Sequence, residues 1–285
     1  GRSCSNLTNL DVSSFNTSKV TKMGGMFNDC PVLVNLDITN FNTSKVTDMS
    51  LMFSGCSSLV SLDLSNFNTA AVTTMTHMFY GCTNLTTITV ACEWNTDAVT
   101  ESSDMFLDCT SIKGRKGTTY DPNHVDKSYA HNDEGASNPG YLTDKLEVYA
   151  IEESESGKYV LTFYYDNKKK TRDYPKSIGP FSSFNAVSWY SHAYWFNTVR
   201  FDSSMAECTN ITSTAYWFYG FTELTTIEGL EYLNTSNVTD MAGMFGHCYQ
   251  MTNIDVSHFD TSNVTDMNAM FNMCTYLTSI DVSHF

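Results

Sequence analysis

Apolar residues recur along the chain with two alternating periods. Met49, Met52, Phe53 and Cys56 fall at i, i+3, i+4 and i+7, the spacing of one helix face. Met75, Met78, Phe79 and Cys82 repeat it, as do Met241, Met244, Phe245 and Cys248. Thr47 and Thr73 precede these faces as N-cap candidates. Asp48, Asp240 and Asp266 follow the cap position, where a carboxylate suits the helix dipole. The predicted helix is about two turns long, too short to stand alone. The other period is strand-like: Leu62 and Leu64 alternate with Ser61 and Asp63, between Leu59 and Phe67.

The two periods belong to one repeat. Cys4, Cys30, Cys56 and Cys82 are each 26 residues apart. Copies open at Leu10, Leu36 and Leu62. A variant opens at Ile88 and ends at Met105, Phe106 and Cys109; further copies open at Ile227 and Ile254. One strand and one short helix per copy predict an α/β fold, a right-handed solenoid whose coils bury their apolar faces only by stacking. Strands of neighbouring coils would form a parallel sheet at a spacing of ~4.8 Å. Stacking turns each position into a ladder: Phe15, Phe41 and Phe67; Phe27, Phe53 and Phe79; Asp11, Asp37 and Asp63, with Asp255 and Asp281. Backbone amides or Ser and Thr hydroxyls could hold the carboxylates. A calcium stack is the sharper alternative, although the calcium-binding nonapeptide of β-rolls is absent.

Regularity fails between about residues 113 and 200. Residues 117–143 have no apolar period and are rich in Gly, Asp, Asn and Pro. Residues 146–165 read as two strands around a Ser-Glu-Ser-Gly turn. Phe181, Phe184, Trp189, Tyr190, Tyr194, Trp195 and Phe196 then form an aromatic cluster. The copy after it is degenerate: the segment from Val199 through Phe201 stands for LDLS, and Phe221 replaces the ladder cysteine. The expectation is two arrays. Residues 1–143 form the first, closed by a loop at 117–143. Residues 144–285 form the second, with a β-hairpin and aromatic cap at 144–200 before a truncated array at 201–285. Both chain ends fall inside a copy, so the chain reads as a piece of a longer protein.

Acidic residues number 31 against 16 basic ones, a net charge of −15, which argues against a nucleic-acid partner. No apolar run reaches ~18 residues, so no membrane insertion is expected in this segment. Seven of nine cysteines sit in the repeat register, and a ladder of buried thiols is read in preference to disulfides. Cys92 and Cys208 are off register. His258 and His284 share a position and read as surface residues. Asp121, His124, Asp126, His131 and Asp133 could bind a metal or could simply form a polar loop. Lys168, Lys169, Lys170 and Arg172 read as a solvated turn. Trp189 and Trp195 could offer a sugar platform, against burial in the cap. No CxxC, GxSxG, HExxH or phosphate-binding loop occurs. No catalytic, cofactor-binding or metal-binding residue is therefore assigned, no cofactor is expected, and the chain is not read as an enzyme.

The copies resemble the 26-residue repeats of BspA-like leucine-rich-repeat surface proteins of bacteria. The motif stands as LDITNFNTSKVTDMSLMFSGCSSL at Leu36–Leu59 and LDLSNFNTAAVTTMTHMFYGCTNL at Leu62–Leu85. Gly117–Thr143 resembles the segment that closes arrays in that family. The resemblance implies an extracellular, cell-surface, LRR-like solenoid and a role in adhesion, with no catalytic motif to carry over. Its expected partners are host extracellular matrix or surface proteins, glycans, or other bacterial cells. The expected contact surface is the strand–loop face with its Ser, Thr and Asn residues. Outward pairs vary between copies, as at Ser18-Lys19, Ala70-Ala71 and Ser236-Asn237. A structural spacer presenting another domain is the alternative, and a glycan-active enzyme a remoter one.

Overall fold

The computed structural model describes residues 4–283 and residue 285. The chain divides into two compact units, Gly1–Lys145 and Leu146–Phe285. Among the described residues there is no α-helix, only strands and short 3₁₀ turns. The expected α/β, LRR-like right-handed solenoid of strand–loop–short-helix coils is therefore overturned. Regular sheet is confined to one three-stranded and one four-stranded sheet, neither of them curled into a solenoid.

In the first unit, β1 (Ser61–Asp63), β2 (Thr87–Val90) and β3 (Leu142–Asp144) pair in parallel in that order. Ser61 faces Thr87, so the register steps by one repeat, and Ile88 faces Leu142, which lies beyond the closing loop. The equivalent residues of the copies opening at Leu10 and Leu36 are not strands.

The segment predicted as helix is a run of β-turns. The amides of Met52, Ser54 and Cys56 donate to the carbonyls of Met49, Leu51 and Phe53, three residues back. The intervening amides leave the copy. Met49, Leu51, Phe53 and Gly55 donate to Thr74, Thr76, Met78 and Tyr80 of the next copy at 2.7–3.1 Å. An α-helix would direct all of them to i−4. Backbone conformation excludes it too, because each copy enters the left-handed region twice. Leu51 has φ 59° and Gly55 φ 73°; His77 has φ 56° and Gly81 φ 70°. The inward face itself matches the sequence pattern: Met49, Met52, Phe53 and Cys56 are fully buried, whereas Leu51 is 41% exposed.

Stacked copies bring equivalent rings together. Phe27, Phe53, Phe79 and Phe106 form one column, with centroids 5.8, 5.6 and 5.4 Å apart and rings within 13° of parallel. Tyr141 ends it edge-on against Phe106 at 5.2 Å. Offset stacking of this kind adds roughly 0.5–1.5 kcal/mol per pair beyond simple burial.

The second unit opens with a hairpin of β4 (Glu147–Glu155) and β5 (Lys158–Asp166), which turns at Ser156 and Gly157. Strands β6 (Phe196–Phe201) and β7 (Thr226–Glu228) add in parallel to β5. Phe163 of β5 packs on Phe201 and Trp217, both at 4.9 Å. The buried indoles are satisfied: Trp189 Nε1 donates to the Trp217 carbonyl (2.7 Å) and Trp217 Nε1 to that of Ile178 (2.9 Å). The turn run then resumes. Tyr216, Phe218 and Gly220 donate to Ala242, Met244 and Gly246, and Phe245 stacks on Phe271 at 5.5 Å.

The turn geometry has a signed test. Ala269 is exposed and has φ 58°. In a helix, Ala269→Gly would cost about 1 kcal/mol. At a left-handed position the methyl is itself unfavourable by roughly 1–2 kcal/mol. The substitution should therefore leave stability unchanged or raise it in a urea melt. A loss near 1 kcal/mol would contradict the turn assignment.

Candidate functional site

What a partner could meet is set by which side chains the stacking consumes. Many of the Ser, Thr and Asn residues of each copy are consumed. Thr17, Thr43, Thr69 and Thr235 are buried. Thr43 Oγ1 donates to the Asn68 carbonyl (2.9 Å) and accepts the Asn68 amide (2.8 Å). Thr17 holds Asn42, Thr69 holds Asn95 and Thr235 holds Asp260 in the same way. The side-chain amide of Asn40 reaches back to the carbonyls of Val12, Ser13 and Phe15, and that of Asn66 to Ile38 and Phe41. Thr47 and Thr73 do not act as N-caps. Their hydroxyls donate to Thr21 and Thr47 carbonyls of the preceding copy.

The aspartate ladder is held by local amides. Asp11, Asp37, Asp63, Asp255 and Asp281 each accept the amide two residues ahead at 2.9–3.0 Å. Bonds from Ser13 and Thr39 hold the Asp11 and Asp37 carboxyls below the usual range. At Asp63 burial works the other way, but bonds from Ser65 and Lys145 outweigh it. Lys145 Nζ lies 2.9 Å from Asp63 Oδ2. Asp48, Asp240 and Asp266 make the same two-residue turn, not a helix cap.

None of the described cysteines forms a disulfide. The ladder thiols point back one copy: Cys56, Cys82 and Cys109 donate to the carbonyls of Phe27, Phe53 and Phe79 at 2.8–3.1 Å. Burial pushes the Cys56 thiol up to about 12, and burial with the Cys4 thiol nearby pushes Cys30 up to about 11. Nucleophilic chemistry needs the thiolate, which these positions disfavour.

The polar closing loop does not assemble a metal site. Asp133, 2% exposed, accepts the amides of Lys116, Thr118 and Gly135 and the Thr118 hydroxyl at 2.7–3.0 Å. Burial raises its pKa, but these bonds win and hold it at about 2. Asp121 caps Asn123 and Asp126 caps Ser128. His124 stacks on Tyr129 at 4.2 Å, and His131 Nδ1 lies 2.9 Å from the Asn132 carbonyl. Among the described residues, no group of three His, Cys, Asp or Glu side chains could hold a metal ion. None of the described helical segments is long and apolar enough to cross a membrane.

In the basic run, Lys169 pairs with Glu147 (3.0 Å). Arg172 pairs with Asp166 (2.8 Å) and lies over the Tyr164 ring at 3.6 Å. It is a strut of the hairpin, not a solvated turn residue. The aromatic cluster splits. Trp189 and Phe196 are buried, while Tyr194 and Trp195 are 54% and 41% exposed. His258 is half-buried against Phe259, with ring centroids 5.0 Å apart, and His284 lies outside the described residues.

Two segments, residues 2–119 and 189–285, match the model of the family described as Mycoplasma protein of unknown function, DUF285. The chain belongs to this family. The match covers the repeat copies of both units. No curated protein and no solved structure matches the chain.

The threonine ladder has a direct test. Thr43→Val keeps shape but strips two backbone groups of the half-buried Asn68 of their partner, which should cost about 1–3 kcal/mol. Ser44→Ala, one residue on and exposed, should stay within about 0.5 kcal/mol. Equal losses in denaturant melts would contradict the ladder.

Proposed function

We propose that the chain is a non-catalytic binding module of a bacterial cell-surface protein. It would adhere through an extended repeat-built surface to host matrix or surface proteins, to glycans, or to other bacterial cells. One observation carries the reading. Inward positions are nearly the same in all but the degenerate copy before β7, because stacking consumes them, whereas outward positions on the same frame change. The turn position of Leu51 is His77, Asp104, Tyr216 and Ala269 in other copies. Beside the threonine ladder stand Ser44 and Lys45 in one copy and Ala70 and Ala71 in the next. A mere spacer has no use for a varied face on a uniform frame. The extracellular, surface-attached setting is supported by the resemblance to BspA-like surface proteins, in which repeats of this family occur. Repetition along one face suits avid contact with an extended partner.

The folded chain is tested against matrix proteins, mucins, glycans and bacterial wall polymers, at low salt and at ~0.5 M salt. High salt screens the non-specific attraction that a protein of charge −15 has for cations. The expected result is saturable, salt-resistant binding that weakens when Lys45, Leu51 and His77 are changed together to alanine. Binding to nothing on the panel would favour the spacer reading.

A further inference from the structure

The turn run of the second unit is decorated differently from that of the first. Where one copy of the first unit carries Ser54, Gly55 and Ser57, and the next has a single ring at Tyr80, successive copies of the second carry Tyr219, His247 and Tyr249. With Phe184, Tyr190 and Tyr194, from the segment before β6, these line a depression of about 490 Å³. That volume falls in the ~300–1,000 Å³ range of small-ligand sites.

Several features show a built depression. Phe184 stacks on Tyr219 at 4.8 Å and 18°, and meets Tyr190 at 5.2 Å. Tyr219 meets His247 at 4.9 Å, and His247 Nδ1 lies 2.8 Å from the Tyr249 hydroxyl. The tyrosines of the turn run rest on glycines of the next copy. A Cβ on Gly246 would come within 2.8 Å of the Tyr219 ring, and one on Gly243 within 2.8 Å of the Tyr216 ring. Burial, with Tyr190 and Tyr249 close by, raises the Tyr219 pKa, as expected where phenols converge.

The lining combines aromatic rings with hydroxyls, including those of Ser191 and Thr222, and holds no Asp, Glu, Lys or Arg. A phosphate, sulfate or sialic acid would want a cation there. A neutral pyranose fits both properties: its C–H face packs on rings while its hydroxyls bond to phenols, threonine and imidazole. Tyr194 also meets the exposed Trp195 edge-on at 5.3 Å, so the aromatic surface continues beyond the depression. That favours an oligosaccharide over a single sugar. We propose that this depression binds a neutral oligosaccharide. The proposal rests on the binding-module reading and names a ligand class for one site within it.

The full chain is screened against neutral hexose and N-acetylhexosamine oligomers and against sialylated and sulfated oligosaccharides, with titration calorimetry on any hit. Saturable binding of a neutral oligomer, unchanged at ~0.5 M salt, is expected. Tyr194→Ala, at an exposed ring, should weaken it at least tenfold at unaltered melting temperature. Gly246→Ala should also weaken binding, by displacing the Tyr219 ring, and Tyr80→Ala in the first unit should leave binding unchanged. The proposal is overturned if only charged oligosaccharides bind, if none binds, or if neutral binding survives both site variants. Protein partners that still bind the Tyr194→Ala chain would leave the broader reading standing after such a failure. Silence towards sugars and proteins alike would remove both.

Discussion

Alternate backbone amides of each turn run have no acceptor inside their own copy. Met49, Leu51, Phe53 and Gly55 find one only in the copy that follows. A buried amide without an acceptor costs about 1–3 kcal/mol, so a copy that packs over these amides, and so takes water from them, must also supply their acceptors. Burial of the apolar faces is thus tied to backbone pairing between copies, and the side-chain ladders share its spacing. Once the amides set the separation of neighbouring copies, identical residues face one another. The phenylalanine column, the threonine hydroxyls that bridge to the next copy and the thiols that bond back to the preceding one use the same spacing.

Two kinds of surface result. Positions inside the stack are constrained twice, by volume and by a hydrogen-bond partner. Positions outside it are constrained only by conformation, mainly where φ is positive. Leu51, His77 and Asp104 occupy one such left-handed position with entirely different side chains. That freedom makes the outer face the place where chemistry can vary without cost to the frame. In the second unit the variation is pronounced, because tyrosines there lie on glycines and gather the aromatic depression.

The repeat, its inward face and the internal holding of the aspartate ladder were legible in the sequence. The helix was misread, because consecutive β-turns place residues i, i+3, i+4 and i+7 on one side just as a helix does. A signal existed: Gly55, Gly81 and Gly220 interrupt the supposed helix face at one fixed position, where a helix pays about 1 kcal/mol and a left-handed turn pays nothing. The threonine ladder was also missed, since threonine among Asn and Ser reads as surface. Its recurrence in FNT, while the residues after it vary, was the available clue. The five polar residues of the closing loop looked like one cluster in sequence. In space they do not converge as one site: the three aspartates take local amide bonds, with Asp133 as the buried anchor, and His124 stacks on Tyr129 with Asp121 3.9 Å away. The aromatic depression was only half visible, because Tyr190 lies in the segment before β6 and Tyr249 in a later copy, and only the fold brings them to one lining.

The central claim is that alternate amides bond between copies. Through-hydrogen-bond scalar couplings in deuterated, isotope-labelled protein test it directly. The account predicts correlations from the Leu51 nitrogen to the Thr76 carbonyl carbon and from Phe53 to Met78. Correlations from Leu51 to Thr47 and from Phe53 to Met49, the helical pattern, would contradict it.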